Sequence, residues 1–477
     1  MDEPLDLLIE GGTVIDGTKA PRFDADVGVR GGRVVAIGEL RGRAARARLD
    51  ARGKIVAPGF IDAHTHDDLA LLDTPDMVFK VSQGVTTVVT GNCGISLAPL
   101  VTARPPSPLD LLHAEFRFAR FADYVQAVQD ARPAVNAALL VGHITLRVAH
   151  VADLSRPATP DEQQRMQDEV RQALDDGAIG LSTGVFYPPA RAASTQELIE
   201  VARPLSGGRG VLTMHLRDEA DHIDAALLEA LAIGRALDAP LVLSHHKLMG
   251  KANHGRSVQT LERIAAAAAL QPVCLDCYPY TASSTMLLPE RVAGSTDVQI
   301  TWSQVEPQAA GRSLRAMAAE RGLTPEAMAA ALMPGGATYF AMSDEDVDRI
   351  LAHPLAMIGS DGLPAPGPQH PRLWGTFPRV LGHYARERRL LSLETAVHKM
   401  TGLTARRFGL HGRGGVAPQH AADLTVFDPA TVADRATYAD PAQPPQGIRW
   451  VLVNGRVAVE DGAVADAHAG EVLRRSC

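Results

Sequence analysis

Five short segments constrain this chain more than any other feature, because each closes an apolar, β-rich run with a residue able to bind metal. They are Ile61-Asp62-Ala63-His64-Thr65-His66, Thr90-Gly91-Asn92-Cys93-Gly94, Thr213-Met214-His215, Leu243-Ser244-His245 and Ile358-Gly359-Ser360-Asp361. Side chains two apart on a strand share a face, so His64 and His66 are expected to address one point from one direction. Ligands this far apart in sequence meet when parallel strands converge at their carboxyl ends, as in a (β/α)₈ barrel. Any one of these histidines could be a hydrogen-bonded core residue. Six candidates on five strand ends point instead to a shared site.

The rest of the chain supports that architecture. Eight strand-like runs recur: Ile55 to His66, Val85 to Cys93, Val135 to His143, Ala178 to Phe186, Val211 to Arg217, Pro240 to Lys247, Val273 to Tyr280 and Leu355 to Asp361. Helical patterns separate them. Thr159-Pro160-Asp161-Glu162 reads as a capping box with Pro at the first helical position, leading into Met166, Val170 and Leu174 and stopping at Gly177. Alternation of this kind predicts α/β architecture with a parallel sheet, and eight strands predict closure. A bare barrel needs roughly 250 residues, so the 477 here leave room for more. Short Gly-punctuated runs at the amino end, and an Asn454-Gly455 hairpin signal at the carboxyl end, predict a small β-sandwich built from residues 1–57 and 415–477. Residues 58–414 form the predicted barrel. Helical and irregular pieces over about 285–348 are expected as a lid insertion between strands seven and eight.

Composition narrows the function. A net charge of −8 argues against nucleic acid as a partner, since that needs a basic face. The sequence has no apolar stretch long enough to span a bilayer and no basic-then-apolar amino terminus, so a soluble cytoplasmic protein is expected, with no membrane partner. Cys93, Cys274, Cys277 and Cys477 are too few for a disulfide framework, and reduced thiols are expected. Cys274-Leu275-Asp276-Cys277 has the spacing of a metal or redox motif, but residues three apart on a strand face opposite sides, which favours structural cysteines. The sequence leaves the oligomeric state open.

Zinc favours imidazole and thiolate and keeps one position open at catalytic sites. Cys93, His215 and His245 offer such a set. His64, His66 and Asp361 would form an adjoining, harder site whose second metal is weak or absent, with Cys93 able to touch both. Lys247 shares the face of His245 and is expected at the mouth, whereas His246 should be packed away. His143 and Tyr187 occupy further strand ends. Arg291 and Arg372 lie on segments near the mouth, where the alternative is a solvated arginine.

Pro58-Gly59-Phe60-Ile61-Asp62-Ala63-His64-Thr65-His66 resembles the opening motif of the amidohydrolase superfamily, metal-dependent hydrolases on a (β/α)₈ (TIM-like) barrel with a flanking β-sandwich. More narrowly, Gly91-Asn92-Cys93-Gly94, Gly180-Leu181-Ser182-Thr183-Gly184, His215-Leu216-Arg217-Asp218-Glu219, Ser244-His245-His246-Lys247, Tyr278-Pro279-Tyr280 and Gly359-Ser360-Asp361-Gly362 resemble N-acyl-D-amino-acid deacylases. The resemblance runs nearly end to end. It implies that a cysteine replaces the carboxylated lysine of two-metal relatives, that Cys93, His215 and His245 hold the tight zinc, and that Asp361 is the catalytic aspartate. It also implies that Lys247, Tyr278 and Arg372 bind the substrate carboxylate, with Tyr187 and Ser284 lining the pocket.

The expected reaction is hydrolysis of an anionic N-acyl-D-amino acid to a carboxylate and a free D-amino acid, with Asp361 moving the proton and Tyr187 or His143 assisting at the oxyanion. The segment from Ser283 to Arg291 is similar to that of N-acyl-D-glutamate deacylases, so an acidic side chain paired with Arg291 is expected. The alternative is a pocket lined by Met286 and Leu287, with Glu290 and Arg291 solvated, suiting hydrophobic D-residues. A hydantoinase-like cyclic amidase would carry lysine at position 93, and a non-catalytic scaffold would have lost ligands.

Overall fold

A computed structural model describes residues 3–365 and 367–475, so Cys477 lies outside the described residues. Eight parallel strands form the barrel: Phe60–Asp62, Val85–Thr90, Asn136–Gly142, Gly180–Gly184, Val211–His215, Leu241–Leu243, Val273–Cys277 and Ala356–Ile358, each paired with the next. The last returns to the first through the Ala63 amide, which donates to the Ile358 carbonyl, and through a parallel bridge between Thr65 and Gly362. Ile61, Val89, Leu140, Ile179, Val242 and Met357 pack together as an apolar barrel interior. Cys274 joins that interior while Cys277 belongs to the helix-facing core, the opposite-face arrangement the strand period requires. Burial pushes both thiols up to about 12, so neither is poised as a ligand.

The strands are shorter than their apolar runs suggested, and one run divides. Ile55 to His66 breaks at Gly59, where a Cβ would lie 2.2 Å from the Thr86 side chain. Ile55–Pro58 before it joins the terminal sheet, and Phe60–Asp62 after it is the first barrel strand. His64 and His66 therefore sit beyond a strand end, and strand alternation is not what aims them. Between barrel helices the capping box forms as expected: the Glu162 amide donates to Thr159 Oγ1 at 3.3 Å and the Thr159 amide to the Glu162 carboxylate at 2.7 Å.

The two chain ends build one nine-stranded sheet, joined where Ile55–Pro58 pairs with Leu5–Val14 on one side and Leu424–Phe427 on the other. Its two halves share one apolar cluster, in which Val27, Val29 and Val34 pack with Leu424, Trp450 and Leu452. The hairpin turns of the halves meet at Gly32 and Gly455, where a Cβ on Gly455 would come within 2.8 Å of the Gly32 Cα. The carboxyl end does not belong wholly to this sheet, as the 415–477 boundary supposed: Val472–Leu473 crosses back to pair with the third barrel strand.

The insertion before the eighth strand is also more ordered than helical and irregular pieces. It starts at Ala282 and contains a three-stranded antiparallel sheet, ordered Ala282–Met286, Gly335–Phe340, Asp297–Ser303, together with the helices Leu314–Arg321 and Pro325–Leu332. Among the described residues, no helix is long and apolar enough to cross a membrane.

Candidate metal centre and adjoining cavity

The ends of the first and eighth barrel strands are zipped together before any ligand is considered. Asp62 Oδ1 accepts from the Ser360 amide at 2.8 Å and from the His64 amide at 3.3 Å. Asp62 Oδ2 takes the Lys80 ammonium at 2.7 Å, and Lys80 also donates to Ser360 Oγ at 2.8 Å. All four residues are buried. Backbone bonds from the Asp361 amide to the His64 carbonyl (2.7 Å) and from the His66 amide to the Gly362 carbonyl (2.8 Å) complete the clasp. On this frame His66 Nε2 lies 3.3 Å and His64 Nε2 3.5 Å from Asp361 Oδ1.

Cys93 joins this group to a second one. Its Sγ is 3.3 Å from His64 Nε2 and 3.3 Å from His245 Nε2. The donor atoms form two sets, His64, His66, Cys93 and Asp361 in one and Cys93, His215 and His245 in the other, each set within 4.8 Å of one another. Cys93 (φ 54°), His245 (φ 36°) and Asp361 (φ 49°) all adopt the left-handed backbone region that non-glycine residues avoid. Such conformations cost on the order of 1–3 kcal/mol each and persist where the surroundings over-determine them; here each turns a side chain off its strand end toward a common centre.

The electrostatics suit a cation. Burial alone would raise the Cys93 thiol, but the imidazoles of His64 and His245 outweigh it and hold the group well below the ordinary thiol range, as a thiolate. Burial likewise opposes ionisation of Asp361, and the guanidinium of Arg372 overrides it. Burial lowers His215, so its ring stands neutral with lone-pair donation available, and both its nitrogens are buried without a hydrogen-bond partner. An unsatisfied buried polar atom costs about 1–3 kcal/mol. A borderline divalent cation on thiolate and imidazole removes that cost, so the donor set fits a metal.

Above the centre opens a cavity whose lining includes the charged Lys247, Glu219 and Arg291 and the apolar Ile95, Leu111 and Leu363. Lys247 reaches it as expected and donates to Glu219 Oε1 at 2.5 Å, while the same oxygen lies 3.1 Å from His245 Nδ1. Lys247 Nζ also lies 2.8 Å from His245 Nδ1, so Lys247 and Glu219 together hold the ring with its Nε2 facing Cys93. Arg291, in the short helix Pro289–Val292, packs its guanidinium over the Phe186 ring at 4.2 Å and lies 3.6 Å from Glu219 Oε2. Glu290 is exposed, and neither Met286 nor Leu287 lines the cavity. Tyr187 and Ser284 line it as expected; Tyr187 Oη is 3.3 Å from Thr285 Oγ1. His246 is packed away against Thr260 Oγ1 at 2.9 Å.

Two placements differ from expectation, and for Arg372 the solvated alternative falls away. Arg372 is no solvated loop residue: it opens the helix Arg372–Arg379, is 3% exposed and is ion-paired with Asp361 Oδ2 at 2.8 Å. Tyr278 does not line this cavity; its ring lies between Lys247 and Arg372, at 5.8 and 4.8 Å from its centroid, with the hydroxyl buried and unpartnered. His143 is outside the cavity altogether, 3.4 Å from Glu197, which also pairs with the buried Arg147. Burial lowers its basicity, and it has no route to an oxyanion here. Sequence reasoning also passed over Asp62, Lys80, Glu219 and Asp276. Asp276 Oδ1 accepts the His245 amide at 2.9 Å and sits 3.4 Å from His64 Nδ1, so in Cys-Leu-Asp-Cys the residue at the site is the aspartate.

A model described as the amidohydrolase family matches residues 48–459. A D-aminoacylase from Alcaligenes xylosoxydans xylosoxydans is 56% identical over 476 residues, spanning 99% of this chain and 98% of its own length. An N-acyl-D-aspartate deacylase from the same organism is 53% identical, spanning 98% of this chain and 95% of its own. The crystal structure of an N-acyl-D-glutamate deacylase from Bordetella bronchiseptica, complexed with zinc and a phosphonate inhibitor, superposes with a TM-score of 0.96 at 49% identity, covering 99% of this chain and 100% of that one.

Proposed function

The chain belongs to the amidohydrolase family, and from that premise we propose that it is a zinc-dependent deacylase hydrolysing N-acyl-D-amino acids to a carboxylate and a free D-amino acid. The observation that carries this reading is Cys93, whose sulfur is shared between two ligand sets beside an aspartate paired with an arginine. Zinc would sit chiefly on Cys93, His215 and His245, with a weaker site at His64, His66 and Asp361; when bound it polarises an amide carbonyl and acidifies water.

The protein's own groups supply the rest. Asp361, fixed by the His64 carbonyl and Arg372, accepts a proton from water at its Oδ1 and returns it to the amide nitrogen, which leaves once protonated. Lys247 and Arg372 hold the α-carboxylate. Tyr187, against His215 at the cavity wall, remains the candidate donor to the developing oxyanion. The unpaired Cys93, Cys274 and Cys277 suit the reducing cytoplasm.

Arg291 favours an acidic side chain, D-glutamate first, because its guanidinium lines the cavity as a third cation beside Lys247 and Arg372 and can meet a second substrate carboxylate. The second reading, a hydrophobic D-residue, draws on the pairing of Arg291 with Glu219, which occupies the guanidinium. Metal analysis followed by a screen of N-acetyl-D- and N-acetyl-L-amino acids tests the proposal. Absence of stoichiometric zinc, or equal turnover of the L series, would overturn it.

A further inference from the structure

A second cleft adjoins the metal-side one beneath the lid, and the two share Leu111, Ser284, Thr285, Leu363 and Arg372 as walls. Beyond that shared wall its lining is Thr301 and Trp302 from the lid strand Asp297–Ser303, with Ala365, Pro368, Gln369 and His370 opposite. Trp302 can occupy this place because its partner across the sheet is Gly336: a Cβ there would lie 2.4 Å from the indole Nε1. The indole is braced edge-on against His113, with centroids 5.9 Å apart. Burial holds His370 neutral, which leaves Arg372 as the one charged side chain among the described lining residues, and Arg372 is already engaged with Asp361. The metal-side cavity, by contrast, carries five charged side chains besides its histidines: Glu219, Lys247, Arg291, Asp361 and Arg372.

Resting on the deacylase reading above, we propose that this second cleft is the acyl-chain subsite and that the enzyme prefers straight acyl chains of medium length to acetyl. An N-acyl amino acid has two arms, and a trans amide holds them in its plane, pointing away from each other on opposite sides of the C–N bond. With the α-carboxylate on Lys247 and the shared-wall Arg372 and any side-chain carboxylate on Arg291, the acyl arm leaves over Leu111 and Leu363, and the space continuous with those two residues is the Trp302 chamber. Acetyl would leave it unfilled. A longer chain buries its methylenes against Trp302, Leu363 and Pro368, gaining about two- to fourfold in affinity for each one removed from water.

The test is a chain-length series on the zinc-loaded enzyme: N-acetyl, N-butanoyl, N-hexanoyl and N-octanoyl derivatives of D-glutamate and, in parallel, of D-leucine. A rise in kcat/KM from acetyl to hexanoyl, carried by KM and seen with whichever amino acid is accepted, is expected. Thr301→Trp, which fills the chamber, should reverse the hexanoyl-to-acetyl preference, and Trp302→Ala should flatten it. Hexanoate should inhibit the wild type more tightly than acetate, a measurement that needs no variant. An acetyl optimum with hexanoate no better than acetate as inhibitor overturns the subsite while leaving the deacylase reading standing. No turnover at any chain length overturns both.

Discussion

The two ligand sets that share Cys93 are built differently. On the His64 side, every group leans on another protein group: His66 and His64 on Asp361, His64 on Asp276, Asp361 on Arg372, and the strand ends on the Asp62, Lys80 and Ser360 clasp. On the other side, His215 has two buried nitrogens with no hydrogen-bond partner and a basicity lowered by burial. A cation arriving at the first set must displace the contacts that His64 and His66 make with Asp361, whereas at the second it meets His215, whose two nitrogens both lack a partner. The contrast predicts one tight metal at Cys93, His215 and His245 and a weak one at His64, His66 and Asp361.

Breaking the shared ligand should have the largest effect. Cys93→Ala should strip metal from both sets and abolish turnover, as read by metal analysis after dialysis. His215→Ala and His66→Ala then separate the sets: the first should lose the stoichiometric metal and the second retain it. If His66→Ala were the one to emerge metal-free, the assignment of tight and weak sites would be reversed.

Asp361→Asn comes next. The amide keeps the shape of the group but cannot take the proton, so kcat should fall by at least ~100-fold, the usual scale for a general base. Metal content should stay near wild type, because Asp361 belongs to the weak set. Loss of metal together with activity would make Asp361 a structural ligand.

Lys80→Met tests the clasp. Removing one partner of a buried ion pair leaves an uncompensated charge on Asp62 and costs about 3–5 kcal/mol. A substantial loss of stability in denaturant unfolding is expected, with tight metal retained in whatever fraction folds. Unchanged stability would mean that the backbone bonds from Asp361 and His66 are sufficient alone.

The sequence exposed the ligands but not what aims them. His64, His66, Cys93, His215, His245 and Asp361 are legible because metal-type residues at the ends of apolar runs stand out against the chemistry of a core. Their aim depends on left-handed backbone at Cys93, His245 and Asp361, positions where the turning residue is not itself a glycine. Lys80 and Asp62 were illegible for another reason: a charged pair sealed in the interior looks, in sequence, like two surface residues 18 positions apart. The lid sheet was hidden by composition, since Ala282–Met286 and Gly335–Phe340 are rich in Ser, Gly and Thr and read as loop. The break at Gly59 was signalled only by the Pro58-Gly59 pair within an otherwise apolar run, and it falls where the backbone passes too close to Thr86 for a side chain.

The smallest expected effect concerns the charged lining of the metal-side cavity. Arg291 faces the cavity with its guanidinium shared between the Phe186 ring and Glu219, so a second substrate carboxylate has to compete with Glu219 for it. A charge-assisted hydrogen bond is worth about 1.5–3 kcal/mol, and competition places the gain at the low end, roughly tenfold. Arg291→Ala should therefore raise KM for N-acetyl-D-glutamate about tenfold with kcat little changed, and should improve N-acetyl-D-leucine by removing a cation that an apolar side chain leaves unpaired. Glu219→Gln acts in the opposite sense on the same guanidinium and should lower KM for D-glutamate, provided that tight metal is retained. If the wild type prefers D-leucine, or if Arg291→Ala leaves D-glutamate unaltered, then Glu219 has already neutralised Arg291 and the preference for an acidic side chain is wrong.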